Sequence, residues 1–186
     1  PYTTLFRSDD GTTRFRLWAP SQPEIRLVLD GGKDDAQPMD KQADGWFELV
    51  TDRAPAGTRY QFQLPDGLAV PDPASRFQPE DVNGPSLVVD PKSYEWRNTD
   101  WRGRPWEETV LYELHVGCFT DEGTYDGVRR KLDHLAELGV TAIEFLPLAD
   151  FAGRRGWGYD GVLPYAPDDA YGSPDSLKRL IDEAHG

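Results

Sequence analysis

From Val110 onward the chain repeats one order of elements, and that order constrains the fold more than anything else in it. Val110 to Val116 is a mostly apolar run of strand length. Val128, Leu132, Leu135 and Leu138 then fall at helical spacing, with Gly139 placed to end the helix. Val140 to Leu146 is a second apolar run, stopped by Pro147. Ser173, Pro174 and Asp175 supply an N-cap, a first-turn proline and a first-turn acid. Leu177, Leu180, Ile181 and Ala184 make one apolar face behind them. Strand, helix, strand, helix means a parallel sheet with helices packed on it. The expectation is the first two βα units of a (β/α)8 barrel over residues 109–186, incomplete because the run stops at Gly186.

The first half reads differently. Thr13 to Trp18, Glu24 to Leu29, Gly45 to Val50 and Arg59 to Leu64 alternate polar and apolar residues. Asp30-Gly31-Gly32 and Pro65-Asp66-Gly67 are turn signals between such runs. Leu68 to Val70 and Ser86 to Val89 add short strands. This spacing predicts an immunoglobulin-like β-sandwich over residues 9–90. Phe77 and Val82 are expected to pack beneath an ordered loop that spans Pro71 to Pro85. Residues 91–108 carry Trp96, Trp101 and Trp106 and read as a connector pinned against both domains. Pro1 to Ser8 can be encoded by a string that matches the end of a common sequencing adapter. We expect these eight residues to be translated adapter without a packing partner.

About 26 residues separate the second strand from its helix, against an ordinary 2–6 for such a connection. Long loops at the carboxyl ends of barrel strands build substrate sites. This one contains Trp157-Gly158-Tyr159-Asp160-Gly161. Aromatic faces and carboxylates grip sugars, so Trp157, Tyr159 and Asp160 are the candidate substrate contacts. Trp18 and Trp46 are a second candidate sugar platform, though as core or interdomain packing they would be ordinary.

Other chemistry is weakly signalled. Glu113 and Glu144 lie mid-strand, away from the strand ends where barrel catalysts sit, so each is expected to be a hydrogen-bonded structural acid. His115, His134 and His185 match no metal spacing, so no metal or cofactor is expected. His115 reads as a satisfied strand histidine and His134 as a helix-surface one. Cys118 has no base near it in sequence, and no phosphate-cradling glycine motif occurs. A net charge of −13 disfavours nucleic acid and anionic membranes. The single cysteine fits a reducing, cytoplasmic setting.

Several segments together resemble one group of enzymes. Tyr112 to Thr120 and Leu132 to Pro147 resemble the first strand, first helix and second strand of α-amylase-family glycoside hydrolases with an N-terminal β-sandwich. Glycogen branching and debranching enzymes share that form. Tyr159 followed by Asp160 and Gly161 is similar to the malto-oligosyltrehalose trehalohydrolases, where the branching and debranching groups usually show Gln or Asn after the Tyr. Pro71 to Pro79, Asn83 to Ser86 and Val89 to Pro91 are similar to the same group. The resemblance runs from Asp9 to Gly186. It implies hydrolysis of the α-1,4 bond beside a terminal trehalose unit, with retention, by an Asp nucleophile and a Glu acid/base about 5–5.5 Å apart. It places that pair after the fourth and fifth strands, beyond Gly186, so no catalytic residue is expected in this chain. It makes Tyr159 a stacking residue at the cleavage subsite, with Trp157 and Asp160 shaping the wall. The implied partners are an α-glucan substrate and, through shared substrate, a malto-oligosyltrehalose synthase.

Overall fold

The computed structural model of the chain describes residues 6–7, 11–32 and 35–186. Its first half is two antiparallel sheets laid face to face. One is ordered β1-β2-β6-β5, from β1 (Phe6–Arg7), β2 (Thr13–Trp18), β5 (Asp40–Lys41) and β6 (Trp46–Thr51). The other is ordered β4-β3-β7-β8, from β3 (Arg26–Leu29), β4 (Gln37–Pro38), β7 (Arg59–Gln63) and β8 (Ala69–Val70), with β9 (Ser86–Leu87) also on β7.

Alternation explains the layers. Phe15 and Leu17 of β2, Leu27 of β3, Phe47 of β6 and Tyr60 and Phe62 of β7 all turn inward and meet Ile25, Met39 and Val88. The outward residues of β2 and β6 pair across the strands: Arg16 faces Glu48 at 3.1 Å, and Trp18 lies opposite Trp46. Phe6 and Arg7, expected to have no partner, pair with Arg14 and Thr13 of β2. The rest of Pro1 to Ser8 lies outside the described residues.

The 71–85 loop is ordered, but by polar groups. Asp72, Ser75, Gln78 and Ser86 are buried, whereas Phe77 and Val82 are only half-buried. Tyr60 donates its hydroxyl proton to Asp72 at 2.7 Å, and Ser86 Oγ accepts from the Asp72 amide at 3.0 Å. Gln78 Nε2 donates to the carbonyls of Asp81 and Gly84. A turn-rich segment has many backbone groups to satisfy, and buried side-chain amides and hydroxyls satisfy them here.

In the second half, β10 (Leu111–Leu114) and β11 (Ala142–Phe145) pair in parallel, as expected. The strands are shorter than the apolar runs. Val116 already belongs to a single helical turn, α1 (Val116–Phe119). The one helix expected between the strands is two, α2 (Tyr125–Arg129) and α3 (Leu132–Glu137). Lys131 leaves helical geometry at φ −107 and ψ 6, and its amide takes the tighter bond to Val128 O. The apolar spacing survives the break because Val128, Leu132 and Leu135 still meet one core with Leu114 and Leu180. Gly139 ends α3 at φ +89.

β12 (Ala149–Asp150) and β13 (Leu163–Pro167) form an antiparallel pair inside the long 147–172 connection. α4 (Pro174–Ala184) follows, with Ser173 and Ser176 bonded reciprocally as a capping box. The 91–108 connector is fixed to α4 by its backbone more than by its tryptophans. Asp182 accepts from the amides of Arg97 and Asn98 at 3.0 Å and from the Tyr94 hydroxyl at 3.1 Å. Trp101 stacks on His185 at 3.7 Å between ring centres, while Trp106 is 78% exposed.

Candidate functional site

The candidate contacts sit on a loop anchored by glycines. Gly156 packs on the Phe151 ring, Gly158 on Pro147, and Gly161 on Ala149, so the loop lies flat against the chain that leaves β11. Each glycine lets the backbone approach where a Cβ would collide. The residues between them point away from the protein. Trp157 is 71% exposed, Tyr159 is 75% exposed, and Asp160 is exposed. All three expected contacts are therefore exposed on this loop. None of the three belongs to the core.

His115 supports this loop. It follows β10 directly and occupies the N-cap position of α1, and its Nε2 is 2.8 Å from the Gly156 carbonyl oxygen. Tyr171 and Trp157 meet its ring edge-on, at 5.8 and 6.1 Å between centres. His115 is thus satisfied at Nε2, as read from the strand, while its Nδ1 is buried without a partner. With Cys118, Arg155, Gly156 and Trp157 it lines a shallow pocket of about 300 Å³. Burial pushes the Tyr171 phenol up to about 12, helped by the charges of Asp168, Cys118 and Asp160. It stays protonated and can donate. The part played by His115 is legible only in hindsight, from its position at the carboxyl end of a parallel strand.

Glu113 and Glu144 are register partners on β10 and β11, and both are exposed. Their carboxylates make no hydrogen bond among the described residues, which overturns their reading as hydrogen-bonded structural acids. They share one sheet face, the one opposite Leu114, which packs with the helices. Trp18 and Trp46 are not core either. Trp18 is 42% exposed, with its indole N–H bonded to Asp44 O, and Trp46 lies under the Arg16 guanidinium at 4.3 Å. His134 is exposed on α3.

One group of acids escaped the sequence reading. Asp150, Asp168 and Asp169 bring carboxylate oxygens within 4.8 Å of one another. Asp168 Oδ2 accepts from the Phe151 amide at 3.1 Å and Oδ1 from the Ala170 amide at 2.9 Å. Both oxygens of Asp150 are buried without a hydrogen bond. Burial, then the charges of Asp168, Asp169 and Asp81, push the Asp150 carboxyl up to about 7. Burial raises Asp168 and Asp169 as well, with Arg154 opposing the rise at Asp169.

A sandwich ahead of a parallel βα run, with exposed aromatics on the second βα loop, is an architecture found in α-glucan-active enzymes, and the comparisons agree. The profile of carbohydrate-binding module 48 (isoamylase N-terminal domain) matches residues 4–71. The chain is 46% identical over 95% of its length to the malto-oligosyltrehalose trehalohydrolase of Saccharolobus solfataricus, and spans 31% of that protein. A 1,4-alpha-glucan branching enzyme from Pseudoalteromonas atlantica is similar at 28% identity, over 93% of this chain and 27% of that one. A crystal structure from Salmonella typhimurium, provisionally named an alpha amylase, superposes with a TM-score of 0.94 at 55% identity. It is matched over 98% of this chain and 31% of its own. The chain thus resembles the sandwich-bearing α-amylase family of glycoside hydrolases. Within that family it resembles the malto-oligosyltrehalose trehalohydrolases, as its motifs predict, and corresponds to under a third of their length.

Proposed function

We propose that these residues are the N-terminal part of a malto-oligosyltrehalose trehalohydrolase, which cleaves the α-1,4 bond next to a terminal trehalose unit and releases trehalose. The observation that carries the reading is the exposed Trp157-Tyr159-Asp160 surface beside the end of a parallel strand pair. In this reading β10 and β11 are the first two strands of a (β/α)8 barrel. The bare face bearing Glu113 and Glu144 then looks into the barrel, to be covered by later strands. Residues 9–90 form the binding module and 91–108 the connector.

Tyr159 stacks on the sugar that flattens as the bond breaks, and Trp157 and Asp160 shape the wall beside it. His115 and Tyr171 hold the loop. The nucleophile and acid/base come from later strands. Among the described residues, the only adjacent exposed acids on the sheet, Glu113 and Glu144, lie mid-strand and away from this loop. The substrate is a neutral α-glucan, which suits a chain of charge −13. The enzyme works in the cytoplasm alongside the synthase that makes its substrate.

A branching enzyme is the second reading, supported by the similarity at 28% identity. A glucan-binding module without catalysis is the third, supported by Trp18 and Trp46 on the outer face of the sandwich. One assay separates them. The chain joined to its downstream coding sequence should release trehalose from maltotriosyltrehalose, and the 186 residues alone should not. New α-1,6 branches without trehalose would favour the second reading. Glucan binding with no catalysis in the joined protein would favour the third.

A further inference from the structure

We propose that Asp150, Asp168 and Asp169 hold a hard divalent cation, Ca²⁺ in preference to Mg²⁺, at the base of the substrate loop. The inference is independent of which reaction the whole enzyme performs. Two observations carry it. The first is spacing. Ca²⁺ takes oxygen ligands at about 2.3–2.6 Å, so two ligands on opposite sides of one ion lie roughly 5 Å apart at most. The three carboxylates fall within that limit, at 4.8 Å or less from one another.

The second is Asp150 itself. Its side chain is fully buried, faces the other two acids, and neither oxygen has a hydrogen-bond partner. Buried carboxylate oxygens without donors are costly, and natural proteins pair them or give them to a metal. The Asp169 amide favours the charged form of Asp150 but lies outside hydrogen-bond geometry. Asp168 retains acceptor capacity after its two amide bonds, because each carboxylate oxygen has two lone pairs.

The surroundings have the same sign. Asp81, on the sandwich loop, adds a fourth negative charge that reaches all three acids. It is held there by accepting from the Gly153 amide at 2.9 Å. Among the described residues, Arg154 has a field that opposes theirs, at Asp169. All ligands are carboxylates from a short strand and the turn after β13. Such an all-protein oxygen set suits Ca²⁺, whereas Mg²⁺ retains most of its waters. The ion would clamp β12 to the end of β13 and so hold both ends of the loop that carries Trp157 and Tyr159.

The test uses the 186-residue chain, stripped with a chelator and titrated with CaCl₂ by calorimetry and by thermal melting. One site is expected, with a melting temperature that rises with Ca²⁺ and rises less with Mg²⁺. Asp150→Asn and Asp169→Asn should each weaken binding by about tenfold or more. Glu95→Gln, on the exposed connector, should not change it. If Asp150→Asn fails to fold, the half-buried Asp169 decides. Absence of heat and of any melting shift at several millimolar Ca²⁺ overturns the site. So does undiminished Ca²⁺ binding in Asp169→Asn, or in an Asp150→Asn protein that folds.

Discussion

Gly158 lies so close to the carbonyl oxygen of Pro147 that a Cβ there would fall well inside contact distance. Its φ is +86, a conformation that side chains with a Cβ rarely adopt. The end of β11 and the tip of the candidate loop are therefore held by one glycine. Gly158→Ala meets both penalties at once. A non-glycine residue in this region costs about 1–3 kcal/mol before any clash. Each kcal/mol moves a chain of this size by roughly 2–4 °C. Gly153→Ala has a similar φ, +85, but open space around the new Cβ. The melting temperature should fall for both and fall further for Gly158→Ala. Equal losses would mean that the contact with Pro147 does not matter.

A second relationship fixes the connector. Asp182 of α4 takes both backbone amides of Arg97 and Asn98 and the Tyr94 hydroxyl. Burial works to raise its carboxyl, but those donors outweigh it and hold it below the usual range. A folded value below the unfolded one stabilises the protein above the unfolded value, near 3.9, and loses that contribution as pH falls through the folded value. The chain should lose stability below about pH 4. Asp182→Asn should be less stable at neutral pH, because one carbonyl replaces two acceptors, and should show a shallower acid limb. Urea midpoints across pH 2–6, an interval on both sides of that value, check it. Parallel acid limbs would remove Asp182 from the account.

The two halves should also differ in protection. The sandwich buries two facing sheets, whereas β10 and β11 are a two-stranded sheet with one face bare. Val110, Leu111 and Leu138 are 53%, 50% and 63% exposed in this chain. Amides of β2, β6 and β7 should exchange slowly, and those of β10 and β11 faster. Hydrogen exchange with mass readout resolves the segments. Equal protection would show that the second half is stable without further strands.

What was legible depended on whether a residue's signal is local. The N-cap at Ser173, the C′ glycine at Gly139 and the alternation of β2, β6 and β7 are written within a few residues, and the structure agrees. The break at Lys131 was hidden because apolar spacing continues across it. The 71–85 loop was expected to close over Phe77 and Val82, but its order comes from Asp72, Gln78 and Ser86, whose partners lie 6 to 14 residues away. The Asp150, Asp168 and Asp169 cluster was illegible for the same reason. Hairpin register, which no single stretch reveals, brings residue 150 to 168. That Trp157, Tyr159 and Asp160 stand exposed on a long loop was legible because a long aromatic loop after an apolar strand is conspicuous in sequence.

The last prediction concerns Tyr159 and separates function from packing. At 75% exposure its ring is not part of either core. Surface substitutions of this kind change stability by about 0.5 kcal/mol or less. Tyr159→Ala should therefore leave the melting temperature of the 186-residue chain within about 2 °C of the parent. In the chain joined to its downstream sequence the same change should lower turnover by about tenfold or more, equivalent to roughly 1.4 kcal/mol of barrier. Stacking that strengthens as positive charge develops on the sugar favours the transition state over the ground state, so the Michaelis constant should move less. Tyr159→Phe should retain most activity if the ring face is what matters, and lose it if the hydroxyl positions a reacting group. Trp157→Ala should affect both properties, since its ring also meets His115. An Ala variant at 159 with unchanged turnover would remove this residue from the site, and one that melts several degrees lower would make it a packing residue.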